Sequence, residues 1–207
     1  MDLSAEEFDQ VAREVFAPIY PIIAGQIIDR SGVTKGTCLD LGCGSGYLGL
    51  ALAGITELSV CLLDKSPEML KIADQNIIAS GFESKMRTML GDVQDIPLPD
   101  QSVDLAVSRG SIFFWENRVK AFSEIFRVLA PGGCACIGGG FGTPELKRQI
   151  TEKMLKISEE WSGMVKKNTG KENEKAFNDE LRAAGIPQYE VVRDDKGLWI
   201  TIRRKAS

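Results

Sequence analysis

The sequence of 207 residues contains no histidine. A general base on this chain must therefore be a carboxylate, Tyr, Lys or Cys, unless the substrate arrives as a nucleophile. The lack of histidine also removes the usual partner of cysteine in structural zinc sites. Because no second close cysteine pair completes a four-cysteine set, we predict no metal site.

Cysteine is scarce and odd in number, with five residues: Cys38, Cys43, Cys61, Cys134 and Cys136. Most of them fall in apolar segments that we predict to be buried strands, where Cys134 and Cys136 share one face. A disulfide framework is not expected from this pattern. We interpret the thiols as small apolar core residues, with binding of a soft metal or metalloid substrate as the alternative.

Long apolar runs and long basic tracts are also missing. The apolar runs are short and the N-terminus is acidic, so we expect no membrane insertion and no targeting signal, and predict a cytoplasmic protein. Lys and Arg number 25 against 29 Asp and Glu, a net charge of −4. This charge disfavours a nucleic-acid duplex as partner, because a duplex needs a positive face. With 43% apolar and 26% charged residues, the chain fits one globular domain, 1–207.

Predicted strands and helices alternate through the middle of the chain. We place strands at about 37–41, 58–63, 85–90, 103–107 and 134–138. Helices are predicted at about 47–53, 66–81 and 118–129, and Pro131-Gly132-Gly133 predicts a turn before the fifth strand. Two further strands, 191–192 and 198–202, form a hairpin around an Asp-Asp-Lys-Gly turn. The pattern predicts an α/β fold: a doubly wound, mostly parallel seven-stranded sheet with helices on both faces and a C-terminal antiparallel hairpin.

Helical segments flank this alternation. Ser4 and Glu7 form a capping box, Pro18 and Pro21 interrupt, and a second helix follows at about 22–29, so residues 1–32 are predicted as an N-terminal helical cap. Thr143-Pro144 begins a helix whose apolar residues recur as far as Trp161. We predict 143–171 as a helical insertion or lid, which either packs against the fold or also covers a substrate. A last helix is predicted at 172–184.

The most informative motif is Cys-Leu-Asp-Leu-Gly-Cys-Gly-Ser-Gly at residues 38–46. Asp40 would place a carboxylate at the carboxyl end of a buried strand, where open α/β sheets hold their ligands. Gly42 and Gly44 let the backbone turn sharply and approach a ligand closely. The glycines at 44, 46 and 49 also satisfy the dinucleotide pattern G-x-G-x-x-G, which is weak by itself. A glycine-rich turn without a ligand is the third interpretation.

The loop and its preceding acid resemble the first motif of the class I S-adenosylmethionine-dependent methyltransferases. The resemblance covers residues 36–140 strongly and the chain ends only in outline. It implies S-adenosyl-L-methionine as cofactor and S-adenosyl-L-homocysteine as product. The cofactor-binding residues that it implies are Asp40, Gly42, Cys43, Gly44, Asp64, Lys65, Met69, Asp92, Val93 and Ser108.

Specific roles follow from that resemblance. Asp64 matches the acid that accepts hydrogen bonds from both ribose hydroxyls. Asp92 and Val93 match the position that reads adenine, through the carboxylate and the backbone N–H respectively. Ser108, expected just past the fourth strand, matches the position whose backbone carbonyl takes the methionine ammonium. The segment 127–133 resembles a further family signature, to which we assign a structural role.

Charge separates the two cofactor interpretations. A pyrophosphate beside Asp40 would be repelled, whereas a sulfonium and an ammonium group are attracted to the acid. Asp64 does not discriminate, because dinucleotide-binding proteins use an acid there too, and it also suits the positive N-terminus of the helix beside Ser66. The Gly91-Asp92 pair is ordinarily a turn. The ordered set, rather than any single member, favours the methyl donor.

The acceptor pocket is expected over the fourth and fifth strands. The chain lacks there the Asn or Asp followed by two prolines that is typical of members methylating amide or exocyclic amino nitrogens. Arg109 is a candidate for holding a substrate carboxylate or phosphate, Trp115 for walling the pocket and Tyr20 for closing it. A surface ion pair, core packing and anchoring of the helix are the respective alternatives. Residues 138–142 suit close ligand approach or a flexible hinge.

An aromatic, glycine-rich rim in an acidic protein is similar to the group that includes quinone, sterol and small-metabolite methyltransferases. We therefore predict in-line methyl transfer to a small, partly apolar acceptor. The alternatives are an NAD(P)-dependent Rossmann oxidoreductase and a non-catalytic adenosylmethionine-binding module. The acceptor atom, the oligomeric state and the use of a base are not indicated by the sequence.

Overall fold

The computed structural model of the protein describes residues 4–206, and its centre is a seven-stranded sheet. The strands are β1 (Lys35–Leu41), β2 (Glu57–Asp64), β3 (Met86–Leu90), β4 (Val103–Arg109), β5 (Leu129–Gly140), β6 (Tyr189–Arg193) and β7 (Gly197–Arg203). Their order is β3-β2-β1-β4-β5-β7-β6. The first five pair in parallel, and β7 pairs antiparallel with both β5 and β6. The predicted fold class is confirmed.

Eight α-helices connect these strands within residues 4–206. They are α1 (Ala5–Val11), α2 (Ile19–Ser31), α3 (Tyr47–Ile55), α4 (Pro67–Ser80), α5 (Arg118–Val128), α6 (Pro144–Leu155), α7 (Trp161–Asn168) and α8 (Lys171–Ala183). A π-helical segment, Ala12–Phe16, continues α1, and a 3-10 helix, Ser111–Phe114, follows β4.

The helices cover both faces of the sheet, and each face has its own core. Successive side chains of a strand point to opposite faces, so the neighbours Cys38 and Leu39 of β1 belong to different cores. Ile23 of α2 packs in the first core and Phe122 of α5 in the second. Switching of the chain from one side of β1 to the other leaves a crevice between β1 and β4, where open α/β sheets bind ligands.

Helix starts follow the predicted caps. The Ser4 hydroxyl accepts from the Glu7 N–H at 3.2 Å while the Glu7 carboxylate accepts from the Ser4 N–H at 2.8 Å. Ser66 caps α4 before Pro67, and Thr143 caps α6 in the same way. These local hydrogen bonds satisfy backbone donors that the first helical turn leaves free.

The second helix begins earlier than the sequence predicted. It starts at Ile19 rather than about residue 22, with Pro18 as its N-cap and Pro21 inside its first turn. A proline is tolerated there because the first turn does not use its N–H groups. The two prolines therefore start the helix instead of interrupting it.

The single helix predicted from Thr143 to Trp161 is two helices. The α6 helix ends at Leu155, and the N–H groups of Ile157 and Ser158 both donate to the Met154 carbonyl, which closes the turn. Ile157, which the apolar periodicity included, is 48% exposed. The apolar spacing across 155–161 therefore did not mark a continuous buried stripe.

Two predictions near β4 and β5 also need correction. Pro131-Gly132-Gly133 is not a turn before β5 but a bulge within it, where the register to β4 shifts and Gly132 takes a φ of 82°. Ser108 lies inside β4, not past it.

No single helix among residues 4–206 has the length and apolarity needed to cross a membrane. The bent pair Ala5–Phe16 and Ile19–Ser31, with 77° between its parts, meets the length and composition test only when both parts are combined.

Candidate functional site

A cavity of about 530 Å³ lies over the carboxyl ends of the parallel strands. Its walls are contributed by the strand ends and loops of β1 to β5, by α1 and the π-helical segment, by the first turns of α2, α3 and α4, and by α6 and α7. All predicted site residues except Ser108 line it: Tyr20, Asp40, Gly42, Cys43, Gly44, Asp64, Lys65, Met69, Asp92, Val93, Arg109 and Trp115. The structure thus brings together side chains that are up to 95 positions apart in sequence.

The glycine loop after β1 has the backbone that its sequence requires. Gly42 and Gly44 have φ values of 64° and 53°, in the left-handed region that favours glycine. A Cβ at Gly42 would lie 2.5 Å from the Ser111 Cβ, and one at Gly44 would lie 3.2 Å from the Phe8 ring. Side chains at these positions would fill the space between the loop and its neighbours, so the loop's backbone borders the cavity directly.

Asp40 lies beneath this loop and is almost fully buried. Its Oδ2 accepts a hydrogen bond from the Gly49 N–H at 3.0 Å, in the first turn of α3. Burial raises the pKa of Asp40 from 3.8 to about 7; the Gly49 hydrogen bond opposes the rise and the nearby Asp64 adds to it. The site therefore holds a carboxyl group that ionises near neutral pH, and a positively charged ligand would favour its ionised form.

Asp64, the last residue of β2, joins two loops. Its Oδ2 accepts from the Gly44 N–H at 2.8 Å, and its Oδ1 accepts from the Ser66 N–H at 3.0 Å. The second bond places the acid at the N-terminus of α4, where its charge suits the positive end of the helix, as the sequence analysis expected. The same carboxylate also lines the cavity, so both interpretations are compatible with its position.

After β3, Asp92 and Val93 form a tight turn that faces the cavity. The Asp92 Oδ1 accepts from the backbone and the side-chain nitrogens of Gln94, at 2.8 and 3.1 Å. Those bonds fix the carboxylate and leave Oδ2 without a partner among the described residues. Val93 is 9% exposed, so its side chain anchors the turn in the second core.

Lys65, Met69 and Cys43 complete this half of the cavity. Lys65 is exposed, while Cys43 is partly buried and its N–H donates to the Leu63 carbonyl at 3.0 Å. Burial raises the pKa of the Cys43 thiol well above 9. The thiol therefore stays protonated at neutral pH.

Ser111 is a site residue to which the sequence gave no role. Its hydroxyl donates to the Leu41 carbonyl at 2.8 Å, lies 2.6 Å from the Ser108 hydroxyl and accepts from the Trp115 indole at 3.1 Å. Ser108 is fully buried and does not line the cavity; Ser111, three residues on, does. A serine in a loop carries no sequence signal for such a junction.

Arg109, at the end of β4, points a cation into an apolar part of the cavity. Its guanidinium lies 4.6 Å from the centre of the Phe16 ring and 5.7 Å from that of Phe141. The Nε donates to the Gly140 carbonyl at 3.3 Å. Burial lowers the pKa of Arg109, and no carboxylate contributes to it.

Tyr20 and Trp115 form parts of the wall. Tyr20 stacks on Tyr47 with ring centres 5.5 Å apart, and burial raises its pKa. Trp115 packs edge-on against Phe122 at 6.3 Å. Each of the two therefore both borders the cavity and packs against the protein.

Several lining residues were not predicted as site residues. They are apolar and come mainly from the N-terminal helices, from the loops after β4 and β5 and from α6 and α7: Phe8, Val11, Ala12, Phe16, Phe113, Phe114, Phe141, Met154, Trp161, Met164 and Val165. Phe16 and Trp161 meet edge to face at 5.7 Å. Helical periodicity marked several of these residues as apolar but did not show which element they would face.

The glycines of β5 have a packing cause. A Cβ at Gly139 would lie 2.5 Å from the Phe113 ring, and one at Gly140 would lie 2.5 Å from the Trp199 indole nitrogen. Neighbouring aromatic rings therefore occupy the space above this strand. Gly49, the third glycine of the dinucleotide pattern, is similar: a Cβ there would meet Leu62, Val60 and the Asp40 carboxylate.

No group of three or more Cys, Asp or Glu residues that would hold a metal ion occurs within residues 4–206. All five cysteines are free thiols, and four of them are buried.

The sequence matches a protein family described as a methyltransferase domain, over residues 39–137. Among solved structures, a candidate S-adenosyl-L-methionine-dependent methyltransferase of Methanococcus maripaludis is 43% identical and superposes with a TM-score of 0.95, covering 98% of this chain and 93% of that one. The family match, over residues 39–137, begins in β1 and ends in β5, so it contains the glycine loop, Asp40, Asp64 and Asp92.

The names of two curated relatives give different substrates, a hydroquinone for one and a group bound to acyl-carrier protein for the other. The 2-methyl-6-phytyl-1,4-hydroquinone methyltransferase 1 of rice is 35% identical over 102 residues, 49% of this chain and 30% of that protein. The malonyl-[acyl-carrier protein] O-methyltransferase of Yersinia pestis is 37% identical over 95 residues, 46% of this chain and 33% of that protein. This chain thus spans about a third of the length of these relatives.

Proposed function

This chain belongs to the class I S-adenosylmethionine-dependent methyltransferases, and we propose that it methylates a small, partly apolar acceptor held over β4 and β5. S-adenosyl-L-methionine is its cofactor. The oxidoreductase and the non-catalytic binding module that the sequence left open are not favoured by the family match. One observation carries the acceptor proposal: three acids line the cavity over β1 to β3, while over β4 and β5 the lining is mainly aromatic and includes Arg109, with the exposed Glu116 as its carboxylate.

The acidic half of the cavity fits the cofactor. Asp40 and Asp64 lie at the carboxyl ends of β1 and β2, Asp92 follows β3, and together the three acids attract a sulfonium and an ammonium group. Gly42 and Gly44 have left-handed φ values and line the cavity, so their backbone borders it, while Ser111 and Phe8 occupy the space that their side chains would need.

We assign roles within this half by matching positions to chemistry. Asp64 offers acceptor oxygens to the ribose hydroxyls, and the partnerless Oδ2 of Asp92 suits the adenine amine. The Val93 N–H is the donor for the adenine ring. The Ser108 carbonyl, which the sequence indicated as the acceptor for the ammonium group, belongs to a fully buried residue outside the cavity lining, so we do not propose it for that role. Ser111, which does line the cavity, holds that strand end in place.

When bound, the cofactor would supply a methyl group on a positively charged sulfur, for transfer to a nucleophilic acceptor with S-adenosyl-L-homocysteine as the leaving group. The protein's part is to hold the acceptor in line and to exclude water, and such positioning can contribute about 7 to 11 kcal/mol. Tyr20 and Cys43 keep their protons at neutral pH because burial raises the pKa of both. A nucleophilic acceptor, or one deprotonated by a carboxylate, is therefore expected.

The cellular setting is proposed from sequence alone. The net charge of −4 and the broken apolar runs support a cytoplasmic enzyme that uses neither a membrane nor duplex nucleic acid.

Binding of S-adenosyl-L-homocysteine tests the cofactor assignments. We expect Asp64→Ala to weaken binding by at least about tenfold in calorimetry, and Asp64→Asn to weaken it less, because an amide retains one acceptor oxygen. Asp179→Ala, on the exposed side of α8, is the control. Unchanged affinity in Asp64→Ala would remove the ribose assignment.

Labelled product tests the acceptor class. The protein would be incubated with a metabolite extract and methyl-labelled cofactor, and labelled small molecules identified by mass spectrometry. We expect a small, partly apolar product. Label that appears only in protein or nucleic acid would contradict the proposal.

A further inference from the structure

Arg109 presents the acceptor half of the cavity with a cation that no carboxylate of the described residues contacts; Glu116, which also lines this half, is exposed and makes no ion pair with it. Within residues 4–206, no carboxylate oxygen lies within 4.0 Å of its guanidinium nitrogens. Of its five N–H donors, only the one on Nε has a partner, the Gly140 carbonyl at 3.3 Å. The two terminal nitrogens have no protein acceptor in this part of the chain.

Six arginines among residues 4–206 are half-buried, and two of them are paired with carboxylates. Arg30, Arg203 and Arg204 have no carboxylate partner in that range, but they lie outside the cavity that Arg109 lines. Arg118 lies 2.7 Å from Glu180, and Arg127 lies 2.7 Å from Glu124 and from Asp100. Arg109 instead lies between the Phe16 and Phe141 rings, which attract a cation but do not neutralise it. Its burial is therefore not compensated by an opposite charge of the protein.

The energetic consequence favours an incoming anion. Burial lowers the pKa of Arg109, which means that the charged form is less stable there than in water. A guanidinium remains charged in proteins nonetheless. An anion that enters the cavity would recover part of the lost solvation, and a planar guanidinium pairs best with a carboxylate or phosphate through two parallel hydrogen bonds.

The contacts of Arg109 place this anion on the β5 side of the cavity. Its contacts Gly140 and Phe141 follow β5, whereas the acids of the cofactor half follow β1, β2 and β3. Arg109 itself ends β4, whose Val107 pairs with Asp40 of β1, so the carboxylate of the cofactor is the competing anion that the binding test separates. Lys65, the other cation that lines the cavity, is exposed and follows β2.

We propose that the methyl acceptor is a monocarboxylate with an otherwise apolar body, bound through its carboxylate to the terminal nitrogens of Arg109. The apolar part lies against Phe16, Phe141 and Trp161. A single cation in this half matches one negative charge, and a phosphate dianion would leave charge uncompensated among apolar walls. This inference rests on the proposed function.

Probe binding to the full chain saturated with S-adenosyl-L-homocysteine tests the inference. The probes are phenylacetate, its uncharged analogue phenylacetamide, and phenyl phosphate, each measured by calorimetry. We expect phenylacetate to bind most tightly. Arg109→Gln should weaken it by at least about tenfold, Arg109→Lys by less, and phenylacetamide binding should not respond to either change.

Controls separate this inference from the proposed function. Arg182→Gln, which removes an exposed arginine of α8, should leave phenylacetate binding unchanged. S-adenosyl-L-homocysteine should bind Arg109→Gln with its normal affinity, which also shows that the variant is folded. If the unsubstituted chain does not bind S-adenosyl-L-homocysteine, the proposed function itself fails.

Four outcomes would overturn the inference alone. The first is that phenylacetate does not bind, and the second is that it binds no more tightly than phenylacetamide. The third is that phenyl phosphate binds more tightly than phenylacetate, which would assign the site to phosphate. The fourth is that Arg109→Gln weakens S-adenosyl-L-homocysteine as much as phenylacetate, which would assign Arg109 to the carboxylate of the cofactor.

Discussion

The Ser111 hydroxyl donates a hydrogen bond to the Leu41 carbonyl at 2.8 Å. This bond joins the loop after β4 to the last residue of β1, at the point where the two halves of the cavity meet. The same oxygen contacts Ser108 and Trp115, so one small side chain connects the glycine loop, a buried strand and an aromatic wall. The floor of the cavity is therefore held by a junction of side-chain hydrogen bonds.

Removing this junction should destabilise the protein. Ser111→Ala leaves the Leu41 carbonyl, the Ser108 hydroxyl and the Trp115 indole without their partner, and we expect a loss of about 1 to 3 kcal/mol in the free energy of unfolding. Urea denaturation measures it. Ser123→Ala is the control, because that hydroxyl is exposed on α5 and only bonds its own helix, and it should change stability by under about 0.5 kcal/mol. Equal effects of the two substitutions would contradict the junction.

Asp40 should make stability depend on pH. Its pKa is raised in the folded protein to about 7, so its contribution to stability is full below pH 3.8 and is lost as the pH rises through about 7. At about 1.36 kcal/mol per pH unit, the change is on the order of 4 kcal/mol at most.

The variant Asp40→Asn isolates this effect from other titrating groups, because it stays neutral. We expect the free energy of unfolding of Asp40→Asn, relative to that of the unsubstituted protein, to increase by a few kcal/mol between about pH 4 and pH 8 in the absence of cofactor. Denaturation at a series of pH values measures this difference. If the difference were constant with pH, folding would not raise the pKa of Asp40.

Gly49→Ala should show that the third glycine of the loop pattern serves packing. The new Cβ would meet Leu62, lie 3.2 Å from Val60 Cγ1 and 3.3 Å from the Asp40 carboxylate, so we expect a destabilisation of about 1 to 3 kcal/mol. Gly54→Ala is a matched control in the same helix, since only Phe82 lies within 4 Å of its Cβ, at 3.9 Å. That control should be neutral or stabilise by up to about 1 kcal/mol, because alanine favours helix. A harmless Gly49→Ala would remove the packing explanation.

Trp161 should be replaceable by a smaller aromatic ring. Its indole nitrogen is buried and has no hydrogen-bond partner in the region described, so Trp161→Phe loses no bond and keeps the edge-to-face contact with Phe16. We expect this variant to lose under about 1 kcal/mol, and Trp161→Ala to lose about 2 to 3 kcal/mol. Thermal or urea unfolding compares them. If phenylalanine were as damaging as alanine, the indole N–H would have a partner or role that its surroundings do not show.

The features that the sequence predicted correctly are those that depend on residues close together in the chain. The caps at Ser4, Ser66 and Thr143 use hydrogen bonds that span three positions, and the acids at 40, 64 and 92 follow strands whose apolar runs are self-evident. Once the strands are parallel, their carboxyl ends meet at one edge, so the acidic half of the site followed from the alternation.

The rest of the site depends on contacts between distant segments. The role of Ser111 requires Leu41, 70 positions away, and the isolation of Arg109 requires knowing that no acid reaches it. The bulge at Gly132 is held by a hydrogen bond from its N–H to the distant Arg204 carbonyl, and the turn that ends α6 closes on the Met154 carbonyl although the apolar spacing continues past it. The sequence therefore named the residues of the cofactor half but only a few of those in the acceptor half.

The Phe113 ring fills the space that a side chain at Gly139 would need. The sizes of the two side chains are complementary. A larger residue at position 139 alone would collide with the Phe113 ring, and a smaller residue at position 113 alone would leave a void. A variant with a differently shaped pocket would therefore need two substitutions together: a larger residue at position 139 in the strand and a smaller one at position 113 in the loop. Searching libraries at these paired positions is thus a direct route to new acceptor preferences.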